Sequence, residues 1–449
     1  MIPRFFYILI ACICVFCVTT QQASAQTIIR DTEIERTLKE WSAPIFKAAG
    51  LSPDNVKIII VRDSSINAFV AGGANIFLFT GLLSKAENPG EIIGVIAHET
   101  GHISGGHLIR MHSAMEQASY ETIIGTVLGI GAAIISGEGS AANAIISGSQ
   151  NMAVRRYLAN SRLHESSADQ AAISFIDKAG YSPIGLLTFM EKLEGEELLP
   201  VSQQDEYVRT HPLTTNRMAA LRTGVDQSPN TVPYPPEWKG QYERMLAKLD
   251  GFLDPQKVTY QYPSSDTSIP ARYAQAVAAY QQNRVEEAIS LINGLINSEP
   301  QNPYFHELKG QMLLEFGRVS EALPPYKRAA ELAPDAALIQ IAYAHALIES
   351  AGQDGTSKLN QAIQHLHRAE REEARSTQLH RLLATAYGRL GNDAEARLHL
   401  AEEAFLQERY PDARRFAEFA RKSAKSGSRT AIRANDILQL ISQADAAGR

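Results

Sequence analysis

Apolar positions along this chain change their period several times, and each change predicts a different element. Behind Asp31, placed as an N-cap, Ile34, Leu38, Trp41, Ile45 and Phe46 recur at helical spacing, which predicts a surface helix over 31–49. The run 56–61 is short and β-branched, and 68–70 and Asn75–Phe79 follow it on either side of Gly72 and Gly73. These predict a small antiparallel sheet. A helix is expected from near Glu91 toward Met111, and its first half carries almost no surface-like residue, so it should be buried. Between 123 and 146 the chain is apolar but interrupted by glycine and serine at 136–140, so no stretch there spans a bilayer. Two core helices joined by a loop are expected, with a flap or an interfacial segment touching a membrane surface as the alternative. Helical patterns follow over 156–179, from Pro183, and from Pro212 through Arg222.

The second half repeats itself. Asn283-Arg284-Val285-Glu286-Glu287-Ala288 and Gly317-Arg318-Val319-Ser320-Glu321-Ala322 lie 34 residues apart, as do Pro300 and Pro334. The alanine returns at Ala362 and Ala396, with an insertion at 353–358 absorbed on the way. A 34-residue helix-turn-helix period with small residues at the packing positions is the tetratricopeptide signature, in which each helix pair leaves a face bare for the next to cover. Phe405, Tyr410, Ala413, Phe416 and Ala417 predict a final partial repeat, and a capping helix is expected over 429–441. Seven of the twenty prolines fall between Pro229 and Pro270, a density that resists continuous helix. The expected division is therefore a leader over 1–25, a first domain over 26–228, a Pro-rich linker over 229–270 and a repeat domain over 271–449.

With 449 residues, 45% of them hydrophobic, the chain can bury a real core and is not a disordered one. Its 43 basic and 49 acidic side chains give a net charge of −6, which offers no global field for nucleic acid. Between Arg409 and Arg433 basic residues outnumber Asp412 and Glu418; this reads first as a solvated helix face and second as a stripe for an acidic partner. All three cysteines lie in the first twenty residues. That segment reads as a secretory signal: Arg4, an apolar run over 5–18, then Ala23-Ser24-Ala25 as the cleavage site before Gln26. The mature chain then has no thiol, which excludes disulfide scaffolding and cysteine catalysis and fits an oxidising compartment such as the bacterial periplasm.

The buried helix contains His98-Glu99-Thr100-Gly101-His102. Two histidines four apart on a helix project about 40° from each other and about 6 Å apart along the axis, so both imidazoles reach one tetrahedral zinc. Glu99, turned about 100° from His98, is placed to hold a water and take its proton rather than to ligate. A third protein ligand is required. Leu108 stands where a third histidine would fall on one zinc-peptidase pattern, and His107 sits about 140° around from His102 on a continuing helix, so it is expected to be a hydrogen-bonded structural residue. The better candidate is Glu165, with Asp169 one turn later to accept the free N–H of a ligating histidine. Ligation by His164, or a surface pair for Glu165, are the competing readings. Asn75, Ile76, Phe77 and Leu78 are expected to offer an edge strand to which an extended substrate adds, with an interior strand as the alternative.

His98-Glu99-Thr100-Gly101-His102 with His107 five residues on, then Glu165-Ser166-Ser167-Ala168-Asp169, resembles the M48 group of gluzincin metallopeptidases. Asn67-Ala68-Phe69-Val70-Ala71-Gly72-Gly73 and Gly81-Leu82-Leu83 match the same family ahead of its zinc helix. The resemblance implies an α+β zincin-like domain, mostly helical with a small sheet, followed by an all-α tetratricopeptide solenoid. It implies one Zn2+ per chain on His98, His102 and Glu165, with Glu99 as general base. His211-Pro212-Leu213-Thr214-Thr215-Asn216-Arg217 matches a further family segment. His211 then either donates to the developing oxyanion or closes the open metal position, and Arg217 stabilises the oxyanion or anchors the His211 loop. The layout, a secretion signal in front and repeats behind, implies a periplasmic endopeptidase acting on misfolded outer-membrane proteins. Its implied partners are those unfolded substrates and the outer-membrane barrel-assembly machinery. A chaperone-like assembly factor with a largely latent metal site is the rival reading.

Overall fold

The computed structural model describes residues 27–107, 151–200, 203–352 and 355–447. The expected leader and the segment at 123–146 lie outside the described residues. The chain opens with β1 (Thr27–Ile29) and α1 (Thr32–Ala48), whose start is fixed as the sequence predicts: the Asp31 side chain accepts from the Ile34 N–H at 3.0 Å. Then come β2 (Lys57–Arg62), β3 (Ala68–Ala71), β4 (Asn75–Phe79), α2 (Thr80–Lys85) and α3 (Pro89–Ser104). Past the break follow α4 (Asn151–Lys178), α5 (Ile184–Glu194), α6 (Glu206–Thr210), α7 (Thr215–Asp226), α8 (Glu237–Leu253) and α9 (Val258–Gln261).

The structure departs from expectation in three places, the sheet and the bounds of two helices. The four strands run in the order β1-β2-β4-β3, and β2 pairs with β4 in parallel, so the sheet is mixed rather than antiparallel. Asn75, Ile76, Phe77 and Leu78 therefore do not form an edge: β4 is paired on one side by β2 and on the other by β3, and the edge strands are β1 and β3. Parallel pairing is a long-range event that no local alternation encodes. Second, α3 stops at Ser104 instead of running to Met111, because Gly106 adopts a left-handed φ of +60° that ends the helix. Third, the helix expected from Pro212 starts at Thr215, capped by the Thr214 side chain.

The Pro-rich segment also departs from expectation. Pro233, Pro235 and Pro236 precede α8 and Pro255 follows it, so the 17 residues of α8 are free of proline. The apolar face of α8 joins the first domain's core: Trp238 stacks on Trp41 at 5.8 Å, and Met245 and Leu249 are buried in the same cluster as Ile34 and Leu38. Ala247 on the same helix belongs to the core that holds Tyr273 and Phe305.

The repeat half starts at α10 (Ile269–Gln281) and proceeds as antiparallel helix pairs to a last helix at Arg429–Ala447. The recurring alanines do what the period predicts, since Ala288, Ala322 and Ala362 have no exposed surface and Ala396 is buried. A left-handed residue recurs in the turns between paired helices at Asn283, Gly317 and Gly391. Four of the eight basic residues from Arg409 to Arg433 are paired within the protein, Arg409 and Arg415 with Asp412, Arg414 with Asp445 and Arg433 with Glu402. No helix among the described residues is long and apolar enough to cross a membrane.

One buried group in the repeats sets a pH dependence. His399 lies 3.1 Å from His380, Nδ1 to Nδ1, and stacks on Tyr387. Burial first, then the neighbouring His380, push its pKa down to about 3. A histidine depressed on folding contributes stability that is complete above its ordinary pKa near 6.5 and is lost as pH falls toward 3. Denaturant unfolding should therefore lose roughly 3 kcal/mol between pH 7 and pH 4 from this group. His399→Phe, which keeps a ring against Tyr387, should flatten that part of the profile, and an unchanged slope would refute the assignment.

Candidate metal centre

Helix α3 is apolar nearly all round because it runs through the middle of the domain, with Ile92, Ile93, Val95, Ile96 and Ala97 almost without exposed surface. Small residues let its neighbours approach. A Cβ at Gly94 would sit 2.5 Å from the Leu186 backbone on α5, and one at Gly101 2.8 Å from the Ala168 carbonyl oxygen on α4. That second contact sets the register between α3 and α4, and with it the distance between the histidines of one and the carboxylates of the other.

The helical geometry read from the sequence holds. His98 Nε2 and His102 Nε2 face each other at 3.1 Å, and Glu165 reaches both, with Oε2 3.3 Å from His98 Nε2 and Oε1 3.4 Å from His102 Nε2. His211, in the turn between α6 and α7, brings Nδ1 to 3.0 Å from Glu165 Oε2 and 3.3 Å from His98 Nε2. One donor atom from each of these four residues lies within 4.8 Å of every other. His164 is not among them; its ring stacks on that of His107 with centroids 4.4 Å apart. Glu165 is buried and makes no surface pair.

Around the four lies a supporting network. Asp169 Oδ1 is 2.9 Å from His98 Nδ1, and Arg217 grips the same carboxylate with Nε and a terminal nitrogen at 2.7 and 2.9 Å. Arg217 also lies 3.1 Å from Glu165 Oε2 and donates to the backbone oxygens of His211 and Pro212 at 3.2 and 2.7 Å. It therefore holds the His211 loop. Burial would raise the Asp169 carboxyl, but His98 and Arg217 overcome it and hold it below its usual range. Burial likewise works against ionised Glu165, and His211 and His98 hold it well below the usual carboxylate pKa.

Glu99 behaves differently. It is 1% exposed, its Oε1 accepts no hydrogen bond, and its nearest basic atom is His211 Nε2 at 3.6 Å. Burial lifts its pKa above the ordinary value despite the pull of His211 and His98. Tyr207, on α6, was not legible as a site residue: it is fully buried, its ring lies 4.6 Å from that of His211, and its hydroxyl has no hydrogen-bond partner. Nothing in its spacing within the chain signals that position.

Residues 29–225 match the model of peptidase family M48. This stretch is therefore similar to the M48 peptidases. Residues 273–337 match a tetratricopeptide repeat. The chain is similar to the beta-barrel assembly-enhancing protease of Yersinia pestis, 25% identical over 300 residues that cover 65% of this chain and 60% of the relative. With the protein of that name from Escherichia coli K12 it is 24% identical over 290 residues, 61% of this chain and 56% of the relative. A Vibrio cholerae protein to which the same name is provisionally given is 25% identical over 412 residues, 90% of this chain and 83% of that protein. The matches to the Y. pestis and E. coli proteins span less than two thirds of those relatives' length.

M48 peptidases are zinc-dependent, and the donor set here fits that ion: imidazole and carboxylate ligands within reach of one point, and an unpartnered carboxylate oxygen on Glu99 beside them. Within this set burial pushes the His102 imidazole down to about 2, so it is neutral, the form in which an imidazole ligates a metal.

Because Arg217 meets two buried carboxylates at once, Arg217→Met should destabilise the protein by roughly 3–5 kcal/mol. Arg217→Lys, which keeps a charge but not the fork, should cost less. Chemical denaturation measures both, and equal losses would show that the bidentate geometry contributes nothing.

Proposed function

We propose that this chain is a zinc endopeptidase of the periplasm that cleaves misfolded or stalled outer-membrane proteins. Its repeats dock the substrate or the barrel-assembly machinery. The observation that carries the reading is the convergence of two imidazoles from α3 and one carboxylate from α4 beside the unpartnered oxygen of Glu99. His98, His102 and Glu165 would hold a zinc ion, which when bound would supply Lewis acidity at the scissile carbonyl. Glu99 takes the proton from the attacking water and passes it to the leaving amine, a task that suits a carboxyl whose pKa burial has raised. Asp169, hydrogen-bonded to His98 Nδ1, fixes the tautomer that turns Nε2 inward. The signal-like leader supports the compartment, and the names of the relatives and the repeat match support the substrate class and partner.

In this proposal His211 is a latch. Its Nδ1 lies with the three ligand groups rather than above them, which gives a closed set of four, and catalytic zinc sites keep one position open. Turnover then requires the His211 loop to withdraw. The same geometry supports the second reading, an assembly factor whose metal site stays shut.

Glu99→Gln should reduce cleavage of an unfolded outer-membrane barrel protein by about 10²–10⁴-fold while zinc content is kept. Wild-type cleavage by that variant would sink the hydrolase reading, and an assembly phenotype indifferent to it would favour the chaperone. His211→Ala should raise basal cleavage; a fall with the fold intact would assign His211 to the oxyanion instead.

A further inference from the structure

The end of α3 is shaped around one of the metal ligands. After Ser104 the chain passes through Gly105 and then Gly106, whose φ of +60° reverses its direction. His107 is thereby carried back over the last turn of the helix instead of continuing around it. Its Nδ1 comes to 3.0 Å from Nδ1 of His102, with the two ring centroids 5.0 Å apart and nearly perpendicular. Gly105 has to be glycine for this to happen, since a Cβ there would lie 2.4 Å from His107 Nε2 and under 3 Å from two further ring atoms. On its other side His107 stacks on His164 at an interplanar angle of 12°, and it is 6% exposed.

The nitrogen that His102 offers to the shared centre is Nε2, the atom facing His98 and Glu165. Its proton therefore sits on Nδ1, and that N–H needs an acceptor to hold the ring in place. We infer that His107 is a positioning residue for the metal, accepting the Nδ1 proton of His102 so that the lone pair of Nε2 stays turned toward the ion. For His98 the same task falls to the Asp169 carboxylate. The two ligands of α3 are thus oriented by different chemistry, an anion on one and an imidazole on the other. The Gly105-Gly106 turn and the His164 ring hold that imidazole in place.

This inference rests on the zinc reading, and the test separates the two. Zinc content of the purified chain is measured first, followed by the rate of zinc transfer to a chromophoric chelator in wild type, His107→Phe and His107→Gln. Phe keeps a ring against His164 but cannot accept a hydrogen bond; Gln keeps an acceptor but not the ring. Thermal melts of the chelator-treated proteins report the fold. Zinc transfer should be about 10–100-fold faster in His107→Phe and close to wild type in His107→Gln. The visible bands of the cobalt-substituted protein should shift in the first variant and be restored in the second. A wild-type rate and spectrum for His107→Phe, or equally fast loss from both variants with melts unchanged, would overturn the role of His107. A wild-type chain that takes up no zinc would instead overturn the reading of the metal centre itself.

Discussion

Cancellation of buried negative charge is the constraint on which the metal centre depends. Glu99, Glu165 and Asp169 are each less than 5% exposed and lie on two packed helices. Arg217 meets two of them directly. With all three ionised, one guanidinium leaves two negative charges, which a divalent ion removes; three unpaired carboxylates would not stay buried together. Protons do the same work by another route. Burial lowers His98, but the hydrogen bonds and charges of Asp169 and Glu165 carry it up to about 10, while Glu99 is raised toward its neutral form. The site is therefore built so that something positive occupies its centre, and the α3–α4 contact at Gly101 makes the carboxylates unable to retreat.

The part of this site that the chain discloses locally is the part that helical geometry controls. His98, Glu99 and His102 are related by the 100° step of one helix, and Glu165 and Asp169 by one turn of another, so their relative directions follow from spacing alone. What escapes such reasoning depends on backbone reversals or distant pairing. The position of His107 hinges on a left-handed glycine, which moves it from the far side of the helix to the ligand it supports. The interior place of β4 depends on its parallel partner β2, and the direction of that pairing is not written in alternation. Tyr207 reaches His211 through the packing of α6, a five-residue helix whose own sequence carries no periodic signal. The repeats were easier, since small buried residues and a left-handed turn recur at a fixed period.

Charge also joins the two halves. Lys248 on α8 is buried and reaches Asp31 at 2.6 Å and Glu33 at 3.3 Å on the first helix, while the hydroxyl of Tyr273 on α10 donates to Glu33 at 2.8 Å. Burial pulls the Lys248 pKa down, but Asp31, Tyr273 and Glu33 more than restore it, so the ammonium stays charged. Toward the surface Arg30 pairs with Glu373, and Arg36 with Asp335 at 2.7 Å, so α1 and the stretch just ahead of it touch the repeats at several levels. A lysine in this setting fixes direction as much as it adds stability, because an uncompensated buried ammonium would be far costlier than a lost apolar contact.

Helix α8 gives the seam between the halves an unusual character. Its side chains are shared between two cores, with Trp238, Met245 and Leu249 on one side and Ala247 on the other. Severing the chain ahead of this helix would strip the underside of α1 and leave Trp41 without its stacking partner, even though His98, His102, Glu165 and His211 all lie upstream of the cut. The first domain thus borrows part of its interior from the stretch where prolines cluster. Its true carboxy-terminal limit is set by a tryptophan and a leucine beyond the last signature residue, not by the place where composition changes.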